Sequence, residues 1–216
     1  MGRVPGRRRP RHVPRASCGE GRHAGPLGAR THRPVVGLDR DPLSLTQRAP
    51  HFLPLRADLR QLPFRTGSLA GAVAFYASLF GSLEDDEIAA TLKETARSLR
   101  PGGRLLLQTV PLERFLEEPT AEIETVLPDG SVLFERSSFD PQTGRDQGFR
   151  RLSMKAGEDG RTLSGHYFIR YYSLPQLTCL LEGAGFVVRW IHGDVYGGPL
   201  FSSSRDLIIG ADRHNA

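Results

Sequence analysis

The chain has 216 residues, 38% of them hydrophobic and 25% charged, which suits one globular domain with room for an insertion. No apolar run approaches the roughly 20 residues that cross a bilayer, and the Arg-rich N-terminus lacks the apolar segment of a secretory signal. The net charge of +5 sits at one end: residues 1–34 hold nine Arg against Glu20, a charge of +8, which leaves −3 for the remainder and excludes a broadly basic domain.

Residues 1–17 carry like charges, prolines and no hydrophobic period, and read as a disordered or aberrant basic N-terminus. "CGEGRHA" (18–24) follows, with Gly19 and Gly21 flanking Glu20. "VVGL" is a short buried strand ending at Asp39; "PLSLTQRA" is expected as a short helix and "HFLPLRAD" as a second strand, weakened by Pro54. "LAGAVAFYASLF" (69–80) has the small, apolar composition of a central strand buried on both faces. A helix follows, capped by Ser82, with acids at 84–87 on its positive end and Ile88, Leu92, Thr95, Ala96 and Leu99 on one face. Pro101-Gly102-Gly103 stops it before the buried strand "RLLLQTV".

The alternation of strand and helix predicts a parallel sheet with crossover helices over 18–117. Residues 118–172 interrupt it with four strand-like segments separated by "PDG", "PQTG" and "EDG", an inserted antiparallel meander that can serve as a lid over a substrate. The frame resumes over 173–216. Ser173 and Gln176 form a capping box, and "FVVRWIH" and "DLIIGA" are joined by a loop too short for a crossover helix, so they form an antiparallel hairpin. The fold class is therefore α/β, a Rossmann-like, mostly parallel sheet with a C-terminal antiparallel hairpin and an inserted antiparallel β meander.

Glycines let a backbone approach a bulky ligand, a helix N-terminus offers free N–H groups, and an acid ending the next strand can accept both ribose hydroxyls. Gly19, Gly21 and Asp39 meet that specification, and "GEGRHA" also fits the dinucleotide fingerprint of dehydrogenases. Cys18 and Cys179 stand alone, so neither a disulfide framework nor a metal site is expected, and a reducing cytoplasm is the default compartment.

"CGEGRHA", "VVGLD", "RADLRQLPF", "GAVAFYASLFGSL", "LRPGGRLLLQTV" and "YSLPQLTCLLEGAGF" together resemble the class I S-adenosylmethionine-dependent methyltransferases, in their small-molecule-modifying branch, with a truncated or altered N-terminus. The resemblance implies S-adenosylmethionine as cofactor. It places Gly19 and Gly21 along the methionine part and ribose, and Asp39 on the ribose hydroxyls with Arg40 beside the adenine. It places Asp58 on the adenine amino group, the Leu59 backbone N–H beside it, and Phe75 at the sulfonium. The family's first strand, apolar and ending in an acid, has no counterpart near Arg15, so residues 1–17 are expected to be a mis-started version of it.

The expected partner is a small-molecule acceptor, with no membrane and no nucleic acid. Candidate bases are His166, Tyr167, Tyr171, Tyr172, His192, Asp194 and Tyr196; His192 and Asp194, opening the last hairpin loop, are the catalytic candidates. Tyr167, Ile169 and Tyr171 are expected to face the core, and His166, Phe168, Arg170 and Tyr172 the other side. Three other readings stay open: an NAD(P)-dependent oxidoreductase, an RNA methyltransferase that uses the basic tail on phosphates, and a non-catalytic relic.

Overall fold

The computed structural model describes residues 18, 21–40, 45, 51–76, 80–81, 83–154 and 161–214. The helix expected over "PLSLTQRA", the Ser82 cap, the "EDG" turn and the basic segment 1–17 lie outside the described residues.

Helix α1 (Ala24–Thr31) leads into β1 (Val35–Asp39), which pairs in parallel with β2 (Phe52–Arg56) from Val35↔Phe52 to Asp39↔Arg56. Strands β3 (Leu69–Ala74) and β4 (Leu99–Thr109) also pair in parallel, joined by the crossover helix α2 (Asp85–Ser98). Helix α2 starts where the sequence puts its acids, and its cap is Glu84: the Glu84 N–H donates to the Glu87 carboxylate (3.0 Å), half of a capping box. Ile88, Leu92 and Ala96 then fall on the buried face.

A short helix α3 (Glu113–Glu117), which has no signal in the sequence, leads into the insertion. There β5 (Thr120–Val126), β6 (Val132–Asp140), β7 (Arg145–Ser153) and β8 (Thr162–Arg170) form an antiparallel meander in chain order, as expected. Helix α4 (Leu174–Gly183) begins at the predicted Ser173/Gln176 capping box. Strands β9 (Phe186–His192) and β10 (Leu207–Arg213) form the antiparallel hairpin, and β10 runs antiparallel to β4. The core joins α2, α4 and this sheet through Phe80, Leu99, Leu107, Leu177, Leu181 and Ile209, each fully buried.

The insertion is fastened to the frame at one corner. The Arg170 N–H donates to the Phe80 carbonyl (3.2 Å), and Phe115 stacks on both Phe139 and Tyr171. Ile169 packs on the core and Tyr171 is buried, as the alternation predicts. Arg170 and Tyr172, expected on the outer face, are buried as well, because both reach Asp85 at the start of α2.

The parallel part differs from the expectation in one respect. The strands separate into a β1–β2 pair and a four-stranded sheet ordered β3-β4-β10-β9. β3 ends at Ala74 and is not buried on both faces: Ala70 and Gly71 are exposed and Val73 is 44% exposed. The cause is that only its β4 edge is paired among the described residues.

Candidate functional site

In an open α/β sheet, ligands bind outside the carboxyl ends of the strands. A cleft of about 1360 Å³ includes that region. Its walls come from the loop before α1, β1, the whole length of β3, the turn after β2, α2, residues 104–106 of β4, and β8 of the insertion.

Gly19 lies outside the described residues. Gly21 is buried with φ +76, the left-handed region that favours glycine, and its carbonyl accepts from the Gly25 N–H (3.0 Å) as α1 begins. A Cβ on Gly21 would stand 2.5 Å from the Phe52 ring, and one on Gly37 would stand 2.4 Å from it. Phe52, 4% exposed, is thus wedged between the two glycines under the loop.

Asp39 is fully buried, and its carbonyl accepts from the Ala57 N–H (3.0 Å). Burial, and then the Asp39 charge, push the neighbouring Cys18 thiol up to about 11, so this cysteine stays protonated at neutral pH. Asp58 follows Asp39's cross-strand neighbour Arg56 by two residues, and Arg40 reaches it at 3.8 Å. Asp39 thus ends β1, and Asp58 lies two residues past the end of its parallel neighbour β2. Asp58 accepts from the Arg60 backbone N–H (3.0 Å) and is gripped by the Arg60 side chain (2.6 Å). These bonds hold its carboxyl down at about 2. Leu59 and Phe75 line the same cleft.

Two functional candidates escaped the sequence. His23, at the N-cap of α1, meets the Phe75 ring edge-on at 5.1 Å and lies 6.0 Å from Tyr76. Burial and the adjacent Arg22 charge lower its pKa, which favours the neutral ring. Tyr76 has φ +56, a strained conformation for a non-glycine residue, and Arg22 lies 5.7 Å over its ring. The only signal for this cluster was the loop itself, since Phe75 and Tyr76 are remote in sequence.

From the insertion, His166 and Tyr167 reach the cleft, beside Phe168 and Arg150. Tyr171 and Tyr172 are core residues, and Tyr196 is 95% exposed. The structure places His192 and Asp194 apart from the lining of the cleft. The His192 ring packs on Trp190 at 4.9 Å, and Asp194 caps its own loop by accepting the Tyr196 and Gly198 N–H groups (2.8 and 2.9 Å). Among the described residues no cluster of His, Cys, Asp or Glu could hold a metal, and no helix is long and apolar enough to cross a membrane.

A family model described as a methyltransferase domain matches residues 14–103. No curated protein matches the chain. Among solved structures, the CcbJ methyltransferase from Streptomyces caelestis superposes with a TM-score of 0.78 at 21% identity, over 93% of this chain and 82% of that one. An amino pentose methyltransferase of calicheamicin biosynthesis from Micromonospora echinaspora, solved with S-adenosylmethionine bound, gives 0.65 at 20% identity, over 92% and 81%. A sugar N-methyltransferase from a Streptoalloteichus species gives 0.70 at 17%, over 93% and 78%. At these identities the superpositions speak for the fold, and the domain match covers the N-terminal part of the chain. The chain thus matches a methyltransferase domain over residues 14–103 and shares its fold with solved methyltransferases.

Proposed function

We propose that the chain transfers the methyl group of S-adenosylmethionine to an amine or hydroxyl of a small polar acceptor, seated between the strand ends and the inserted sheet. The observation that carries this reading is one cleft lined both by Arg40, Asp58 and Leu59 and by His166, Tyr167 and Phe168 of the insertion. The amino pentose and sugar N-methyltransferase neighbours support an acceptor of that class.

The residues present fit the adenosine half of the cofactor. An ionised Asp58 accepts from the adenine amino group, with Arg40 and the Leu59 N–H beside the ring. Asp39, buried at the end of β1 beside Arg40, is assigned the ribose hydroxyls, and Gly21 lets the loop before α1 pass close to the ribose and the methionine part. The bound cofactor supplies an activated sulfonium methyl. Phe75, at the end of β3, flanks that centre, and the insertion excludes water and aligns the acceptor. His23, against Phe75 and neutral at pH 7, accepts the acceptor's proton.

S-Adenosylhomocysteine at about a hundred times its dissociation constant should stabilise the chain by about 2.7 kcal/mol in a thermal shift assay. Stabilisation by NAD alone overturns the reading. Asp58→Ala removes a charged acceptor and should weaken S-adenosylhomocysteine about 10- to 100-fold by calorimetry. The pH dependence separates the two groups. With a carboxyl at about 2, Asp58 stays ionised throughout the working range and contributes no acid limb to cofactor binding. The turnover rate should instead fall on acidification through the lowered His23 value, below 6.5, and His23→Gln should remove that limb.

A further inference from the structure

The turn after β2 is strapped to α2. The Leu62 N–H donates to Glu94 Oε2 (3.1 Å), and Arg97 donates to the carbonyls of Leu62 (3.1 Å) and Phe64 (2.9 Å). Nearer the start of α2, Arg60 Nη1 donates to Glu87 Oε1, while Glu87 Oε2 accepts the Glu84 N–H (3.0 Å) of the capping box. One side of the Arg60 guanidinium is thus anchored to the first turn of α2. The other side closes on Asp58: Nε donates to Oδ1 (3.0 Å) and Nη2 to Oδ2 (2.6 Å), and the Arg60 backbone N–H adds a third bond, to Oδ1 (3.0 Å). Asp58, Leu59 and Leu62 line the cleft, and Arg60 stands outside that lining.

This grip decides how many donors Asp58 can still take. A carboxylate offers about four acceptor positions, two on each oxygen. Oδ1 carries two N–H groups and is full. Oδ2 carries one, from Nη2, and keeps one position open. Oδ2 is also the oxygen beside Arg40, a lining residue whose Nε stands 3.8 Å away, beyond hydrogen-bond reach. The pair adds little to the stability of the fold, because the Asp58 and Arg60 side chains are 33% and 37% exposed and water screens them. What a side-on fork does supply is direction: it holds the plane of the carboxylate.

We infer that Arg60 is a positioning residue that sets which nucleoside the site accepts: it fixes Asp58 as the acceptor of a single N–H, through Oδ2, and so selects a purine with a 6-amino group over one with a 6-oxo group. This deepens the proposed function and rests on its assignment of Asp58 to the cofactor's base. A 6-amino group brings an N–H to the open position. A 6-oxo group brings lone pairs against an ionised carboxylate, and leaves both without a partner. The 6-oxo purine carries its nearest donor on N1, one place round the ring. A free carboxylate can swing to that donor, and the Arg60 fork prevents the swing.

The probes are S-adenosylhomocysteine and S-inosylhomocysteine, which differ only at that ring edge, titrated by calorimetry into the full chain. The parent should prefer the adenosyl ligand at least ~10-fold. Arg60→Gln should cut that preference at least ~3-fold, and Arg60→Lys, which keeps the charge beside Glu87 without the fork, should cut it as well. In the Asp58→Ala background the preference should already be lost, and adding Arg60→Gln should change either affinity less than ~2-fold. If Asp58→Ala abolishes the preference while either Arg60 variant keeps it, the positioning role falls and Asp58 retains the base. The role falls equally if Arg60→Gln weakens both ligands alike with and without Asp58, as loss of a purely structural residue would. If the parent shows no preference, or Asp58→Ala leaves it intact, the assignment of Asp58 to the base falls, and the role of Arg60 with it.

Discussion

Arg170→Ala should destabilise the chain by about 2–4 kcal/mol in urea unfolding, with the inserted sheet becoming the first target of limited proteolysis. Arg170 is 9% exposed and holds the junction between the insertion and the frame. Its Nε donates to Asp85 Oδ1 (3.0 Å), one Nη donates to the carbonyls of Gly144 (3.4 Å) and Tyr171, and its guanidinium lies 4.2 Å over the Tyr172 ring. Gly144 makes room for it, since a Cβ there would stand 1.9 Å from Nη1. Truncation leaves the Tyr171 carbonyl short of this donor, while the Gly144 carbonyl keeps the Tyr171 N–H (2.8 Å), and it leaves Asp85 with only the Tyr172 hydroxyl among these partners (2.8 Å). Because the Asp85 side chain is 59% exposed, water screens the ion pair, and most of the loss comes from the Tyr171 carbonyl and the lost packing.

The same junction makes a pH prediction. Burial opposes ionisation of Asp85, but hydrogen bonds from Arg170 and Tyr172 outweigh it and hold the carboxyl below its ordinary value. A depressed carboxyl stabilises the fold above its unfolded value and loses that contribution as pH falls through the folded one. The parent chain should therefore lose this part of its stability below about pH 4. Arg170→Ala should show a shallower acid decline, since less of the contribution remains to be lost. Arg170→Lys restores the charge but not the fork that reaches Asp85 and two carbonyls at once, so it should recover only a minor part.

How much of this was legible in the sequence follows from how local each signal is. The meander was readable because β5 to β8 alternate and their turns carry Gly130 and Gly144 at positive φ. Helix α4 was readable because its capping box lies within four residues. The start of α2 was readable to within two residues, since several neighbouring side chains can cap a helix there and the Glu84/Glu87 pair is the one the fold uses. The environment of β3 was not readable. Its residues specify a doubly buried strand, whereas burial depends on a neighbour that another segment must supply. In the site, Asp39 came from loop chemistry and Asp58 from resemblance, and the structure puts Asp39 at the end of β1 and Asp58 two residues past the end of the adjacent β2. His23 was invisible because its role depends on Phe75, which only folding brings against it. His192 and Asp194 drew notice as polar residues at a loop, but there the Asp194 carboxylate serves the loop's own backbone.

Gly21→Ala and Gly37→Ala should both damage the β1–β2 pair, and a second substitution should tell their causes apart. Each added Cβ runs into Phe52, at 2.5 Å from Gly21 and 2.4 Å from Gly37, and the ring has little room to retreat at 4% exposure. Overpacking alone costs about 1–3 kcal/mol. Gly21 carries a further cost, because at φ +76 a side chain is strained whatever its surroundings, which brings the expected loss to about 2–4 kcal/mol. Phe52→Leu removes the colliding ring atoms. Combined with Gly37→Ala it should recover most of the loss, apart from what Phe52→Leu costs alone and the remaining contact of a Gly37 Cβ with the Cys18 sulfur at 2.9 Å. Combined with Gly21→Ala it should recover only the steric share and leave the backbone strain in place. A double-mutant cycle read by urea unfolding should therefore show a larger coupling energy for the Phe52–Gly37 pair than for Phe52–Gly21. Equal couplings would mean that the loop relaxes around Gly21 and that its left-handed turn is not what the glycine is there to provide.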